Sequence, residues 1–259
     1  MKDNVKDLAF KNYFSERSDN YAAYRPSYPV DLVNALADLC AAQDRALDCG
    51  CGTGQLSVLL ADRFTDVIAT DASSAQIAKA IQKDNITYRT ALAEHSGLAD
   101  ESVDLITVAQ AAHWLDLETF YPEVIRIARP NGLLALITYG VLHVEGDINA
   151  LIQDFYYQTI GPYWPAERRH VETGYQSLPF PFTEIKMPAI IMEEYWPLEA
   201  LMGYFNTWSA VKAATKLLGT NPVDQLRESL LPKWGDPMSQ KKITWPISVR
   251  AGKIREASL

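Results

Sequence analysis

Cysteine and histidine are scarce in this sequence, which has three cysteines and four histidines in 259 residues. The thiols of Cys40, Cys49 and Cys51 have no neighbouring histidine, so they fit neither a disulfide framework nor a zinc site. Cys49 and Cys51 alternate within one tight turn, where two small thiols that fill space are a simpler interpretation than a metal-binding pair. We therefore expect no bound metal and a reducing, cytoplasmic location.

Long apolar runs and an excess of positive charge are also absent. No apolar stretch approaches the ~18 residues of a membrane span, and the opening MKDNVKDLAF lacks the apolar core of a signal peptide. The net charge of −8 provides no basic surface for nucleic acid, and it disfavours adsorption to anionic membranes. We therefore expect neither nucleic acid nor a membrane as a partner, and a chain that works as a monomer or a homodimer.

Strand and helix patterns alternate from residue 29 to residue 140. Five short apolar runs are typical of buried strands: 46–49, 66–70, 85–91, 102–109 and 132–140. The segments between them carry apolar residues at helical spacing; one of them, SSAQIAKAIQK, is expected to turn Ile77 and Ile81 inward. This alternation predicts an α/β fold with a Rossmann-like, doubly wound, mostly parallel sheet.

The regularity stops after residue 140. The run YWPAERRHVETGYQSLPFPF, within residues 141–185, is rich in proline and aromatic residues and predicts a cap over a ligand cleft, because binding residues concentrate in such connections. Residues 189–251 supply two more strands, seven in all, and additional cap helices. Pro246 in the last strand suggests an edge or a bulge. We expect a single domain over residues 1–259, with 29–140 as its core.

The most informative motif is ALDCGCGTG, which runs from Ala46 to Gly54. Glycine is needed where the backbone takes a positive φ or approaches a ligand with no Cβ in the way. Glycines at every second position between a strand and a helix predict a tight turn with a nucleotide-type ligand against it.

The spacing and charge of this turn favour one nucleotide over another. A dinucleotide-binding dehydrogenase carries G-x-G-x-x-G and places a pyrophosphate at the helix N-terminus, but the order here is D-C-G-C-G-T-G. Asp48 would repel a pyrophosphate and attract an ammonium group. Asp71, about twenty residues on, is placed to bind both ribose hydroxyls, although an aspartate there also suits a helix N-cap. S-adenosyl-L-methionine (SAM), with no phosphate and an amino-acid tail, fits better than a nicotinamide dinucleotide.

Four segments resemble the class I SAM-dependent methyltransferases in order and spacing: ALDCGCGTG, VIATD, LAEHSGLADESVDLITVAQAAHW and RIARPNGLLAL. Further segments resemble the trans-aconitate methyltransferase-like subgroup and extend the similarity over nearly the whole chain: YAAYRPSYP, AQAAHWLD, YWPAERRHVETGY, LPFPF and GYFNTWSA. The resemblance implies SAM as the cofactor and S-adenosyl-L-homocysteine (SAH) as its product.

The family implies cofactor-binding roles for the matching positions. The methionine part of SAM would lie against Asp48, Gly50, Gly52 and Gly54, and the ribose would bind Asp71. Ala72 would lie beside the adenine, Ala93 and Glu94 at its edge, and Gln110 near the methyl donor.

The sequence departs from the family at two positions. Leu92 replaces an acidic residue that receives the adenine amino group in many relatives, so adenine recognition would rest on backbone groups. Asn131 stands where relatives often have glycine, and asparagine tolerates the left-handed conformation.

Methyl transfer requires alignment of donor and acceptor, exclusion of water and, for some acceptors, removal of a proton. His113, just beyond strand four, is the candidate catalytic residue, as general base or as a group that orients the acceptor. The alternative is a structural pair with Trp114 that closes the SAM pocket. In the segment YAAYRPSYP, Tyr21 and Arg25 are candidates for binding the cofactor.

A carboxylate acceptor would bind a guanidinium group, which grips carboxylates with two hydrogen bonds. Arg25, Arg168 and Arg169 are the candidates, although charges on a cap helix are by default solvated. Aromatic side chains around a cap favour a small organic acceptor: Trp114, Trp164, Tyr175 and Trp208. We expect methylation of a small molecule at a carboxylate or hydroxyl oxygen. The alternatives are a SAM-binding sensor without catalysis and a nicotinamide-dependent oxidoreductase.

Overall fold

The computed structural model describes residues 25–254. Tyr21, a predicted cofactor-binding residue, lies outside the described residues. In the described part of the chain, no helix is both long enough and apolar enough to cross a membrane.

The described residues form nine strands: β1 (Arg45–Cys49), β2 (Asp66–Asp71), β3 (Ile86–Thr90), β4 (Val103–Ala109), β5 (Ala128–Tyr139), β6 (His143–Val144), β7 (Thr183–Ile185), β8 (Ile191–Trp196) and β9 (Lys241–Lys253). The α-helices are α1 (Val30–Asp38), α2 (Gln55–Leu60), α3 (Ser74–Ile77), α4 (Leu117–Ile127), α5 (Asp147–Asp154), α6 (Arg168–Glu172), α7 (Leu198–Asn206), α8 (Ser209–Leu218) and α9 (Pro222–Trp234). Short 3₁₀ turns lie at Ala112–Trp114 and Gly161–Tyr163, and a π-helical turn lies at Phe155–Thr159.

The strands form one sheet in the order β3-β2-β1-β4-β5-β9-β6, with β7 and β8 also paired to β9. Strands β1 to β5 are mutually parallel, whereas β9 runs antiparallel to β5. The predicted Rossmann-like fold is confirmed, but the predicted count of seven strands is wrong. The two additional strands are β6 and β7, with two and three residues, which are too short to show a period of alternation.

Successive residues of the central strands are buried on opposite faces of the sheet. Ala46, Leu105 and Leu133 pack with α1 and α2 in one apolar cluster. The next residue along each of these strands packs with α4 in a second cluster; these residues are Leu47, Ile106 and Leu134. Because both faces are covered at its centre, β4 is apolar nearly throughout, as the sequence predicts, whereas β3 at the edge of the sheet is largely exposed.

A third apolar cluster joins the predicted cap to the end of the sheet. It contains buried side chains of α5, α7, α8 and α9 together with residues of β8 and the first half of β9. Of the helices that pack there, α5 precedes β7 in the chain, whereas α7, α8 and α9 follow β8. The helical layer is therefore built from two chain segments, 147–164 and 198–234, that share one core.

Strand β9 changes partners along its length. Its residues 241–246 pair with β6 and β8, and its residues 247–253 pair with β5 and β7. Pro246 lies at this change, where its carbonyl accepts a 3.0 Å hydrogen bond from the Gly140 N–H. The predicted edge or bulge is thus a switch from one pair of strands to another.

Helix α3 is shorter than the sequence pattern predicts, because it ends at Ile77. The chain beyond it bonds to its neighbours instead of continuing the helix: the Ile81 N–H donates to the Thr53 carbonyl at 3.1 Å, and the Tyr88 hydroxyl donates to the Ile81 carbonyl at 2.7 Å. The predicted inward position of Ile81 is therefore wrong, and its side chain is 48% exposed.

Candidate active site

Three glycines in the left-handed region shape the turn between β1 and α2, with φ of +66° at Gly50, +57° at Gly52 and +85° at Gly54. A Cβ on Gly50 would lie 2.6 Å from the Ala111 Cβ, and one on Gly54 would run into the Tyr88 hydroxyl. A Cβ on Gly52 would meet nothing within 4 Å. Neighbouring side chains therefore require glycine at two positions, whereas Gly52 borders open space that a ligand can fill.

Asp71, the last residue of β2, is tied to this turn. Its carboxylate accepts hydrogen bonds from the Gly52 N–H at 2.9 Å and from the Ser73 N–H at 2.8 Å. Burial raises the pKa of Asp71, and these two hydrogen bonds oppose that rise. Each oxygen keeps further acceptor capacity, so the carboxylate can still accept from a ligand. Ala72 is half-buried beside it.

Asp48 lies beneath the turn, with only 1% of its surface exposed. Ser57 Oγ donates to one carboxylate oxygen at 2.6 Å, and Thr107 Oγ1 donates to the other at 2.9 Å. Burial raises the pKa of Asp48 to about 6, although these hydroxyls oppose the rise. At pH 7 the carboxylate is therefore largely ionised, and its negative charge acts through space on the open side of the turn.

The predicted adenine edge follows β3. Ala93 is buried, Leu92 is 53% exposed, and Glu94 is half-buried. Glu94 Oε1 accepts a 2.9 Å hydrogen bond from the N–H of Asp116, the N-cap residue of α4. The Glu94 carboxylate therefore joins this loop to the start of α4.

Gln110 follows β4 in the left-handed conformation, with φ of +55°. Its side chain reaches β5, where Nε2 donates to the Tyr139 carbonyl at 3.1 Å and Oε1 accepts from Thr138 Oγ1 at 3.0 Å. Such a conformation is uncommon in a residue other than glycine and concentrates at functional sites. Gln110 lies at the carboxyl end of β4, beside the strand at which the sheet order reverses. Open α/β sheets bind ligands in that crevice.

His113 lies in the 3₁₀ turn that follows. Its Nδ1 is 2.8 Å from the Tyr175 hydroxyl, and its ring centre is 4.8 Å from that of Trp114. Burial lowers the pKa of His113 to about 3, and the charge of Arg168 acts in the same direction. The imidazole is therefore neutral at pH 7 and a weak proton acceptor, which favours an orienting role over a general base.

Arg168, the first residue of α6, is surrounded by aromatic rings. Its guanidinium carbon is 4.7 Å from the centre of Trp164 and 5.6 Å from that of Tyr156. Trp208 packs against both, 5.6 Å from each. Arg168 Nε donates to the Tyr156 hydroxyl at 2.7 Å, while its Nη atoms have no hydrogen-bond partner within residues 25–254. Arg169, by contrast, is exposed.

Tyr156 is a candidate that the sequence pattern does not reveal. It lies in the π-helical turn that follows α5, a geometry frequent at functional sites. Its hydroxyl accepts from Arg168 and lies 3.0 Å from Glu172 Oε1, to which it donates. The adjacent aromatic residues of FYYQT are visible in the sequence, but they do not distinguish a π turn from an ordinary helix.

Arg25, at the start of the described chain, lies near the end of β5. Its Nη1 is 3.4 Å from the Tyr139 hydroxyl, and Tyr28 packs edge-on against the Tyr139 ring at 6.1 Å between centres. The charge of Arg25 also lowers the pKa of Tyr204, although burial dominates and raises that pKa. Arg25 therefore lies at the junction of β5 and α7.

The structure brings the predicted acceptor-side residues together in two groups. One group is His113, Trp114 and Tyr175, and the other is Trp164, Arg168 and Trp208. The two groups are close to each other, because α6, which begins at Arg168, contacts the 3₁₀ turn that carries His113 and Trp114. In residues 25–254 no cluster of three or more His, Cys, Asp or Glu could hold a metal ion, and all three cysteines are free thiols.

Comparison with known proteins identifies the family. Residues 47–136 match the model of a family described as "Methyltransferase domain". A Dictyostelium discoideum protein named "Putative methyltransferase" is 35% identical over 226 residues, which is 86% of each chain. The chain belongs to the methyltransferases. A "Putative Type II Methyltransferase" from Anaeromyxobacter dehalogenans has a solved structure that is 43% identical and superposes with a TM-score of 0.86, covering 90% of this chain and 99% of that one.

This methyltransferase is SAM-dependent, and its methyl donor is S-adenosyl-L-methionine. A yeast relative, "Probable S-adenosylmethionine-dependent methyltransferase" of Saccharomyces cerevisiae, is 35% identical over 131 residues, or 47% of this chain and 45% of that one. The glycine turn fits such a ligand, because Gly52 leaves the space that a Cβ would fill. The nicotinamide oxidoreductase and the sensor without catalysis are therefore not supported.

Proposed function

We propose that this methyltransferase methylates a carboxylate oxygen of a small organic anion. The observation that carries the proposal is the Arg168 guanidinium, which is fixed by Tyr156 through Nε and leaves both Nη atoms without a partner among the described residues. Planar guanidinium groups bind carboxylates with paired hydrogen bonds. The segment YWPAERRHVETGY around this arginine resembles in sequence the trans-aconitate methyltransferase-like subgroup, and this resemblance is in keeping with a carboxylate acceptor.

A second unpartnered donor lies beside this guanidinium. The indole Nε1 of Trp164 is buried and has no hydrogen-bond partner in the described structure. A buried donor without a partner costs free energy, on the order of 1–3 kcal/mol, so it marks a place where an acceptor atom belongs. An oxygen-rich anion held by Arg168 can provide that atom.

The donor side of the proposed site is the turn at Gly50, Gly52 and Gly54. In our proposal Asp71 binds the ribose hydroxyls, Ala72, Ala93 and Glu94 border the adenine, and Gln110 lies between donor and acceptor. The buried charge of Asp48 attracts the ammonium group from beneath the turn. When bound there, SAM supplies an electrophilic methyl group on a positively charged sulfur.

The acceptor side requires no proton transfer. A carboxylate is ionised at pH 7, so an oxygen lone pair forms the new O–CH₃ bond while the S–CH₃ electron pair passes to sulfur, which leaves as the neutral thioether of SAH. In our proposal the neutral imidazole of His113 orients the acceptor, and Trp114 and Tyr175 exclude water from it. The low pKa of His113 supports this role, because a group with a pKa of about 3 accepts a proton poorly at neutral pH.

The test uses the purified chain with methyl-labelled SAM and a panel of small di- and tricarboxylic acids, each matched by its amide and its alcohol. We expect label transfer only to acids, with a product that releases methanol in base, as a methyl ester does. Transfer to the alcohols or amides instead would refute carboxylate methylation. Calorimetric binding of SAH with no transfer to any small molecule would refute the acceptor class.

Arg168 and Arg169 provide a matched pair of variants. Each substitution to methionine removes one positive charge from α6, but only the Arg168 side chain packs against the aromatic rings, whereas Arg169 is exposed. We expect Arg168→Met to lower kcat/KM for the acid about 30-fold, because the loss of a charge-assisted interaction of about 2 kcal/mol corresponds to that factor. Arg169→Met should leave kcat/KM within about twofold of the wild type. Equal effects would show that Arg168 does not contact the acceptor.

A further inference from the structure

The turn that carries Tyr175 is strained. Gly174 and Tyr175 both lie in the left-handed region, with φ of +59° and +65°. Glycine adopts this conformation freely, but a bulky residue such as tyrosine does so rarely. Tyr175 is also completely buried. Such a conformation persists only where the surroundings determine it fully, so other residues must hold this turn in place.

Arg250 of β9 provides that restraint. Its Nη1 donates to the carbonyls of Tyr175 and Leu178, each at 2.8 Å. The Glu184 carboxylate accepts from its Nε at 3.2 Å and also from its Nη2, and its guanidinium carbon lies 4.8 Å from the centre of the Phe180 ring. Arg250 is only 7% exposed, so its donors are committed to the segment from Tyr175 to Glu184.

Strand β9 contacts the same turn at a second point. Ser248 precedes Arg250 by two residues and therefore lies on the same face of the strand. A Cβ on Gly174 would approach the Ser248 Oγ to 2.6 Å. The turn is thus packed against β9 at Gly174 and hydrogen-bonded to β9 through the Tyr175 carbonyl, so β9 restrains the backbone from which the Tyr175 side chain projects.

The Tyr175 side chain reaches His113, whose Nδ1 is 2.8 Å from the Tyr175 hydroxyl. The partner of one ring nitrogen decides which tautomer an imidazole adopts. We propose that Arg250 is a positioning residue, which holds Tyr175 in place and thereby fixes the orientation and the tautomer of His113. Its importance for methyl transfer rests on the proposed function, in which His113 orients the acceptor.

Lysine cannot replace Arg250 in this role. A planar guanidinium donates in several fixed directions at once, which the two carbonyls and the Glu184 carboxylate require, whereas an ammonium group is a flexible point charge. Arg250→Lys therefore keeps the charge of the buried group and removes the geometry of its hydrogen bonds.

The test is nitrogen-15 NMR of the histidine side chains in the full chain, with SAH added. The chain has four histidines, and His113→Asn assigns the signals of His113 by their loss. We expect one neutral tautomer of His113 in the wild type, and in Arg250→Lys two averaged nitrogen shifts that report a tautomer mixture. Tyr175→Phe, which removes the hydroxyl, should give the same averaging.

Arg129→Lys is the matched control, because Arg129 is also an ion-paired arginine but contacts Asp44 and Asp104 instead. We expect its His113 signals to match the wild type. If Arg250→Lys does not fold, Glu184→Gln takes its place in the experiment. This variant keeps Arg250 but weakens the hydrogen bonds that Arg250 donates to residue 184, and it should shift the His113 signals in the same sense. A folded Arg250→Lys or Glu184→Gln with wild-type His113 signals would overturn the proposal.

This readout needs no acceptor, so it separates the two proposals. If no carboxylic acid is methylated, the proposed function fails while the tautomer result stands. If acids are methylated and the tautomer does not depend on Arg250, the positioning role fails alone. Once a carboxylic acid acceptor is identified, Arg250→Lys should lower kcat/KM for that acid about tenfold, while the affinity for SAH stays unchanged.

Discussion

The Asp71 carboxylate accepts a 2.9 Å hydrogen bond from the Gly52 N–H, which joins the end of β2 to the middle of the glycine turn. One residue therefore shapes the turn and presents negative charge at its rim. These two tasks can be separated by experiment, because an amide can still accept from an N–H but carries no charge.

Asp71→Asn should weaken SAH binding about 30-fold, because each of the two proposed ribose hydrogen bonds contributes about 1 kcal/mol more to a charged acceptor than to a neutral one. Isothermal titration calorimetry with SAH measures the change. Asp66→Asn is the control, since Asp66 begins the same strand and pairs with Arg45 at 2.6 Å, away from the turn. Wild-type affinity in Asp71→Asn would mean that its charge does not contact the ligand.

Gly52→Ala should abolish SAH binding at a modest cost in stability. Both Gly52 and Gly219 have positive φ and open space where a Cβ would lie, so alanine at either position should cost about 1 kcal/mol through backbone strain. Gly219 ends α8 and should leave SAH affinity unchanged. Thermal unfolding and calorimetry measure the two effects, and equal SAH affinities in the two variants would exclude Gly52 from the ligand site.

Asp48→Asn should stabilise the protein at alkaline pH. Burial raises the pKa of Asp48 from 3.8 to about 6, so the folded state binds this proton more tightly than the unfolded state. The native state therefore loses stability as pH rises from about 4 to about 6, by up to about 3 kcal/mol. Urea unfolding at pH 5 and pH 8 should show a gain for Asp48→Asn that is larger at pH 8, and a gain independent of pH would contradict the raised pKa.

The acid sensitivity of the fold should depend on His113. Burial lowers its pKa from 6.5 to about 3, so the unfolded state binds the proton more readily, and stability falls as pH drops below about 6.5. Between pH 7 and pH 5 His113 should contribute a loss of about 2 kcal/mol, and His113→Asn should remove this contribution. Urea unfolding at both pH values measures this, with His143→Asn, an exposed residue of β6, as the control. Equal pH dependence in all three proteins would contradict burial of a neutral His113.

The part of the fold around the turn could be predicted because its signals are local. ALDCGCGTG requires positive φ at three glycines, and Asn131, predicted to tolerate the left-handed conformation, has φ of +63°. The nearly continuous apolar run of β4 follows from a sheet that is covered on both faces. These features depend on residues within a few positions of one another, where sequence patterns carry the information.

The acceptor side depends on contacts between distant residues, which no local pattern encodes. Arg250 reaches Tyr175 across 75 positions, and Arg25 reaches Tyr139 across 114. Arg168 was identifiable as a candidate, but its aromatic surroundings follow from how the helical layer folds. The sequence therefore predicts the methyl donor more directly than the acceptor.

The pairing of β9 with four other strands has a consequence for the order of assembly. This strand follows all other described elements in the chain, yet β5, β6, β7 and β8 all hydrogen-bond to it. During synthesis from the N-terminus, β1 to β5 can associate early, whereas the short strands β6 and β7 and the edge of β5 wait for residues 241–253. Residues 241–253 therefore leave the ribosome after the strands that they join, and chaperones would meet a chain whose β5, β6 and β7 edges stay open until β9 is available.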